Sequence, residues 1–144
     1  YARTIKATHT FDIPENFLIW DPTCHHDDEA LPELTEKFLK DTSLFPMLKL
    51  FYVWGHSYEF DQNDNWEHME SFLEKMSGHQ DIWYATNGEI ESYVSTYRQL
   101  LFSVDGRFVY NPTCKTVWVG AIGSDSVTEI KPGCVTTLPE PTVL

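Results

Sequence analysis

Two polar loops carry the side chains best suited to proton transfer. His25 and His26 lie in WDPTCHHDD, and His56 follows the apolar run LKLFYVWG. An imidazole changes charge near neutral pH, so a histidine just beyond a buried strand can exchange protons with a ligand in a pocket. Glu59 follows closely in the sequence and can orient the His56 ring. We therefore predict an acid–base role for His56; the alternative is a histidine that only hydrogen-bonds a neighbouring loop.

The pair His25-His26 offers either a metal ligand or a substrate contact. Adjacent side chains of an extended chain project in different directions, so both rarely bind one ion. A zinc site needs three or four converging ligands at firm spacing, and the sequence shows no such pattern. We assign no metal ligand in this chain and predict substrate contacts at His25 and His26. The alternative is a polar loop in which one histidine has a purely structural hydrogen bond.

Three further side chains, Trp20, His68 and His79, are interpreted from their positions in the sequence. Trp20 precedes the first polar loop, where an indole ring can form a wall of a sugar-binding site; packing in the core is the alternative. His68 lies on the polar side of a predicted helix and is interpreted as solvated. His79 follows the end of that helix, where the helix dipole favours a histidine, and it is also interpreted as solvated.

The middle of the chain predicts alternating helices and strands. Capping-box spacing marks the starts of two helices, at Asp64/Glu67 and at Thr86/Glu89. The predicted order is a helix over 32–40, a strand over 48–54, a helix that ends before Gly78, a strand over 81–85 and a third helix. Such alternation favours parallel strands with crossover helices, in which ligands lie beyond the carboxyl ends of the strands. The loops that begin at Gly55 and Thr86 are at such ends.

The last part of the chain has a different sequence pattern. After Leu100, short strand-like segments are separated by Asp105-Gly106, Asn111-Pro112, Gly123 and Pro132-Gly133. This pattern predicts β-hairpins. We therefore divide the chain into residues 1–100, which are α/β, and residues 101–144, a β-rich appendage.

Composition limits the classes of partner. The chain has 144 residues, 42% of them hydrophobic and 15% aromatic, which is typical of a folded domain. A formal charge of −12 argues against nucleic acid and anionic membrane surfaces, because both need a basic face. The three cysteines form no CxxC pair. Serine-triad, dinucleotide, nucleotide and zincin motifs are not found in the sequence.

Several segments together resemble the C-terminal half of polysaccharide deacetylases, the NodB-homology proteins of carbohydrate esterase family four. They are YART, LIWDPTCHH, FYVWGHSYEFD, NWEHMESFL and DIWYATNGEIESYV, and the similarity covers about residues 1–110. The resemblance implies half of a distorted (β/α) barrel and removal of acetyl groups from a sugar polymer by water activated on a divalent metal, usually zinc. It implies that His56 is the general acid and that Trp20, His25, His26 and Glu59 belong to the substrate site.

The resemblance also implies that part of the machinery lies outside this chain. The family's base aspartate, the aspartate beside it and an HxxxH-like pair of histidines have no counterpart here. We therefore expect an enzyme in the full-length protein and no activity in this chain alone. A half-barrel would expose strand edges, so we expect it to pair with its missing half or with a second copy. A non-catalytic carbohydrate-binding or accessory domain and a structural remnant are the alternatives.

Overall fold

A computed structural model describes residues 1–40, 48–120 and 126–139 of the chain. Within these ranges there are four helices and seven short strands, a mixed α/β composition. The helices are α1 (Leu31–Leu39), α2 (Ser57–Asn63), α3 (Trp66–Met76) and α4 (Asn87–Tyr97). The strands are β1 (Cys24–His25), β2 (Val53–Trp54), β3 (Leu101–Phe102), β4 (Phe108–Tyr110), β5 (Val117–Gly120), β6 (Val127–Ile130) and β7 (Val135–Thr137). Over the described ranges, no helix combines the length and the apolar character needed to cross a membrane.

The chain forms two compact units, which meet in sequence between Tyr84 and Ala85. The predicted division, into residues 1–100 and 101–144, groups α4 with the barrel half. In the structure α4 belongs to the second unit, together with the β-rich segment. The sheets contain two or three strands each, and the strands of the described ranges do not close into a barrel. The half-barrel therefore stays a prediction.

Parallel pairing organises the first unit. In β1 and β2, Cys24 pairs with Val53 and His25 pairs with Trp54. A parallel bridge joins Arg3 to Trp20, so the first segment of the chain runs in the same direction as the segment that leads into β1. Parallel neighbours end at the same edge of a sheet. Residues that follow β1 and β2 are thereby brought together.

Helix α1 and its neighbours cover one side of these strands. Pro32 lies in the first turn of α1, where its missing N–H costs no hydrogen bond. Leu31 and Leu34 are buried with Phe11 and Cys24. Phe38, Phe51, Val53 and Phe72 pack against this cluster. Leu31 and Leu34 lie about one turn apart, so α1 presents this face to the core.

Cys24 lies in this core, and burial raises the pKa of its thiol to about 11. Only the thiolate reacts readily with disulfide reagents, and at pH 8 a thiol with that pKa is ionised to only about a thousandth. Cys114 and Cys134 are exposed. We expect a coloured disulfide reagent to modify two thiols rapidly in the native chain at pH 8, and the third only after unfolding in guanidinium. Rapid modification of all three in the native chain would contradict the buried position of Cys24.

The second unit packs α4 against a hairpin. Strands β5 and β6 are antiparallel, and β4 pairs antiparallel with both β3 and β7. Leu100, Val109, Val117, Val119 and Ile130 form its buried core. Tyr93 and Tyr97 of α4 pack against that core. The predicted hairpins are therefore present in the described part of this segment, whereas the predicted turn at Gly123 lies outside the described residues.

A buried amide side chain joins the loops of the second unit. The Asn111 side chain donates hydrogen bonds to the carbonyl oxygens of Lys115 (2.7 Å) and Ile130 (3.1 Å). Its Oδ1 accepts from the backbone and the hydroxyl of Thr113, at 3.0 and 2.7 Å. Asn111 is fully buried, and its donors and its acceptor are all used.

Candidate functional site

The candidate site lies at the common carboxyl edge of β1 and β2. His25 ends β1, His26 follows it, and Gly55 and His56 follow β2. The His26 N–H donates to the Trp54 carbonyl at 2.8 Å, which is one of the hydrogen bonds that pair His25 with Trp54. Helix α2 begins directly after His56, and its first turn carries Glu59. The sheet edge and this helix together bring two distant parts of the sequence to one place.

One oxygen of Glu59 lies among three imidazole rings. Glu59 Oε2 is 2.9 Å from His26 Nε2, 3.4 Å from His25 Nε2 and 3.3 Å from His56 Nδ1. The same oxygen accepts a hydrogen bond from the His56 backbone N–H at 2.7 Å. Four of the five residues predicted for the site, one catalytic and three substrate-binding, are therefore grouped around a single carboxylate.

Glu59 is an anion at neutral pH. The hydrogen bond from His26 is the main reason that the pKa of the Glu59 carboxyl is lowered from 4.5 to about 2, and the hydrogen bonds from His56 add to it. A carboxylate in this state only accepts hydrogen bonds. The cluster thus joins one anionic hydrogen-bond acceptor to three imidazole rings.

The adjacent histidines meet at one acceptor, contrary to the expectation that they would diverge. Their ring centroids are 4.2 Å apart, and both present Nε2 to Glu59. The expectation applies to a continuing strand, in which neighbouring side chains point to opposite faces. Here β1 ends at His25, and a turn closes at once through a hydrogen bond from the Asp28 N–H to the His25 carbonyl. The chain therefore leaves the strand geometry between the two rings.

Aromatic and cationic groups lie beside the cluster. The Trp54 ring packs edge-on to His25, with centroids 4.6 Å apart, and the Arg3 guanidinium lies 3.9 Å from the centre of Trp54. Tyr58 stacks on His56 at 5.1 Å and is 54% exposed. The exposed edge of the site therefore combines a phenol, a histidine and a guanidinium. All three can donate hydrogen bonds to a polar ligand.

Gly55 leaves the space that His26 occupies. A Cβ at position 55 would lie 1.9 Å from His26 Cδ2, and the His26 ring is fully buried against Phe60. We expect Gly55→Ala to cost about 1–3 kcal/mol in the free energy of unfolding, because overpacking forces a buried ring to shift. Gly120→Ala is the matched control, since a Cβ there meets no atom within 4 Å. Denaturant unfolding of both variants measures this, and equal stability would contradict the close contact.

His68 belongs to this neighbourhood, although its sequence position predicts a solvated side chain. Its Nε2 donates to the His26 carbonyl at 2.6 Å, and the side chain is only partly exposed. The contact joins residues that are 42 positions apart. No local sequence pattern predicts this contact, because His68 is neither part of an apolar stripe nor a helix cap in the first turn of α3. His79 is partly buried, in contrast to the solvated side chain expected from the sequence, and its Nε2 donates to the Lys75 carbonyl at 3.0 Å at the end of α3.

Trp20 packs among aromatic rings in the first unit. It is 1% exposed and contacts Phe17 at 4.9 Å, Tyr52 at 4.8 Å and Tyr1 at 6.0 Å between ring centroids. It also forms part of the lining of a cavity of about 350 Å³, with Thr8, Asp12, Asn16, Asp21 and Tyr52 among the other lining residues. The environment of Trp20 is therefore that of a core residue. Its predicted role as a substrate wall stays a prediction.

Two groups of three side chains have the ligand types of a metal site. Ligand atoms of His25, His26 and Glu59 lie within 4.8 Å of one another, and so do those of His26, Asp27 and His68. The aspartate and HxxxH ligands that the family resemblance implies are absent from the sequence, so neither group is that family's metal site. Comparisons of the chain with protein-family models, curated proteins and solved structures give no match. The histidine–carboxylate cluster is therefore the feature on which a function has to rest.

Proposed function

We propose that this chain supplies the proton-donating part of a hydrolase that removes acetyl groups from N-acetylated sugars, with His56 as the general acid. The observation that carries the proposal is the position of Glu59 Oε2, within 3.4 Å of three imidazole nitrogens at a sheet edge. Ligands of parallel α/β folds bind at such an edge. The resemblance noted in the sequence gives the reaction class, and the cluster supplies the acid that this reaction needs.

His56 is the member of the cluster best placed to meet a substrate. Its side chain is 46% exposed, whereas His25 is 25% exposed and His26 is fully buried. With Nδ1 near Glu59, the other ring nitrogen, Nε2, is left to meet the substrate. Glu59 stabilises the protonated ring before transfer and fixes its orientation, and it stays ionised throughout.

The chemical step assigns one proton to His56. Water gives one proton to a base that lies outside this chain as its oxygen adds to the acetyl carbonyl, and the tetrahedral intermediate collapses with cleavage of the bond between carbon and the sugar nitrogen. That nitrogen takes the His56 proton as the bond breaks, so a free amine and acetic acid are formed. When bound, the metal of the full-length enzyme would supply the activated water. The residues of this chain would hold and deliver the proton and orient the sugar.

Side chains beside His56 support a sugar as the substrate. Tyr58 offers an exposed ring face and a hydroxyl next to the acid, and the Arg3 guanidinium can donate to ring or hydroxyl oxygens. Arg3 covers one face of Trp54 and His56 covers one face of Tyr58, but Tyr58 is the more exposed of the two rings and keeps its second face for stacking. Tyr58 is thus a candidate substrate-site residue that the sequence reading did not single out.

Acetate release tests the proposal. The whole product of the gene is incubated with acetylated chito-oligosaccharide, with and without a chelator, and acetate and intact mass are measured. We expect release that the chelator abolishes. Binding of the oligosaccharide without any release would overturn the enzymatic proposal and favour the carbohydrate-binding alternative. If the oligosaccharide is neither bound nor deacetylated, both the enzymatic proposal and the carbohydrate-binding alternative are wrong.

A further inference from the structure

A ring nitrogen of His26 is buried and forms no hydrogen bond with the residues that the structure describes. The side chain is fully buried, and among these residues Nδ1 has no hydrogen-bond partner, whereas Nε2 is bonded to Glu59. A buried polar atom left in this state costs free energy, and native proteins contain few of them. The nearest charged atom is Asp27 Oδ1, at 3.6 Å, which is too long for a hydrogen bond. This nitrogen therefore points to a ligand.

The protonation of the ring decides what kind of ligand fits. A carboxylate only accepts, so in the neutral ring of His26 the hydrogen lies on Nε2, which is 2.9 Å from Glu59 Oε2. Nδ1 then carries a lone pair and lies 3.6 Å from the Asp27 carboxylate. Two electron-rich atoms at this distance repel each other unless a hydrogen-bond donor or a cation lies between them. Imidazole nitrogen with carboxylate oxygen is also a donor set that divalent transition metals take.

His68 completes the set. Its ring centroid is 6.2 Å from that of His26, and the hydrogen bond from Nε2 to the His26 carbonyl holds the ring beside the site. Ligand atoms of His26, Asp27 and His68 lie within 4.8 Å of one another. We propose that His26, through Nδ1, binds a divalent transition metal such as Zn²⁺ together with Asp27 and His68. Three protein ligands leave one coordination position for water or another group.

The same histidine has an alternative set with His25 and Glu59, which the contacts disfavour. Glu59 Oε2 already accepts from His26 Nε2 and from the His56 backbone, so a metal there would have to break both bonds. In the proposed set, Glu59 keeps its bond to Nε2 and becomes the outer carboxylate of a ligating histidine. Carboxylates commonly hold the second nitrogen of metal-bound histidines in this way. The Asp27 side chain is 48% exposed, which gives a metal a route of entry.

Zinc titration of the 144-residue chain by calorimetry, with no sugar present, tests the site. We expect one Zn²⁺ per chain and Co²⁺ visible absorption typical of tetrahedral ligation. His68→Ala and Asp27→Asn should each weaken Zn²⁺ binding about 10-fold or more. His79→Ala and His25→Ala are the controls and should bind within about twofold of the native chain. Circular dichroism confirms that each variant is folded; Asp27→Asn keeps the side-chain shape and is partly exposed, so it keeps the test informative if His68→Ala unfolds.

Two results would overturn the site. One is the absence of saturable Zn²⁺ binding to the native chain at millimolar metal. The other is an equal loss of affinity in His25→Ala, which would place the ion in the alternative set. The readout involves no acetate release, so it stands or fails separately from the proposed deacetylation.

Discussion

Replacing His56 with alanine is expected to lower acetate release about 10²- to 10⁴-fold in the full-length protein. This is the range that a positioned general acid contributes, because without it the sugar nitrogen must leave without a proton from the protein. The side chain is about half exposed at the edge of the cluster, so its removal leaves the buried His26 and its contact with Glu59 in place. The effect should therefore appear in kcat more than in thermal stability.

The pH dependence separates a proton donor from a residue that only shapes the loop. A general acid must be protonated to act, so the native full-length protein should lose kcat along the alkaline limb of its pH profile. The His56→Ala variant should keep residual activity without that limb. His79→Ala removes a histidine at the end of α3, outside the cluster, and should change kcat less than twofold. A His56→Ala variant with kcat within about threefold of native would contradict the assignment.

Replacing Trp20 with alanine is expected to destabilise the first unit by about 3–5 kcal/mol. Truncating a buried tryptophan removes its burial and leaves a cavity among rings that cannot fully collapse into it. Trp20 is 1% exposed and contacts three aromatic rings. Denaturant unfolding followed by circular dichroism measures the loss.

Trp83→Ala is the matched control, since that indole is 59% exposed and its truncation should cost far less. Comparison of the two variants also decides whether Trp20 is a core residue or a wall of the substrate site. A core residue loses stability on truncation, whereas a binding wall loses oligosaccharide affinity at nearly unchanged stability. A Trp20→Ala variant as stable as Trp83→Ala, with weakened sugar binding, would restore the predicted role in the substrate site.

Local signals in the sequence predict the helices well. The capping box of Thr86 and Glu89 forms as expected, with Glu89 Oε2 accepting from the Thr86 N–H at 2.8 Å, and α4 begins at the next residue. Helix α3 occupies the segment predicted for it and ends before Gly78, although its N-cap is Asn65 and Asp64 ends the preceding helix instead. These features depend on residues three or four positions apart, which the sequence displays directly.

Strands and the short helix α2 were predicted less well. The strand expected over 48–54 is limited to Val53–Trp54, and the segment 81–85 forms no strand. Strand formation requires a partner at the right register, and apolar residues alone do not provide one. The segment after His56 reads as a loop because histidine is not a usual N-cap. The helix forms there because Glu59 returns to the His56 backbone N–H.

The candidate site, like the fold, could be predicted only in part from the sequence. The alternating pattern predicted the strand end before His56, whereas the segment of His25 and His26 was predicted as a loop and contains the end of β1. His25, His26, His56 and Glu59, four of the residues predicted for the site, lie together in the structure. The contact between His26 and Glu59 spans 33 positions, and the contact of His68 with the His26 carbonyl spans 42. Such pairs depend on how the helices pack, which no short-range pattern records.

The buried Asn111 also bears on how the protein ages. Asparagine usually deamidates when the backbone nitrogen of the next residue attacks its side-chain carbon and forms a cyclic imide. The next residue is Pro112, whose nitrogen has no hydrogen and cannot take this route. An aspartate at position 111 would face the carbonyl oxygens of Lys115 and Ile130 in place of the amide that now donates to them. Pro112 thus blocks the commonest route of deamidation at Asn111, the residue whose amide joins the loops of the second unit.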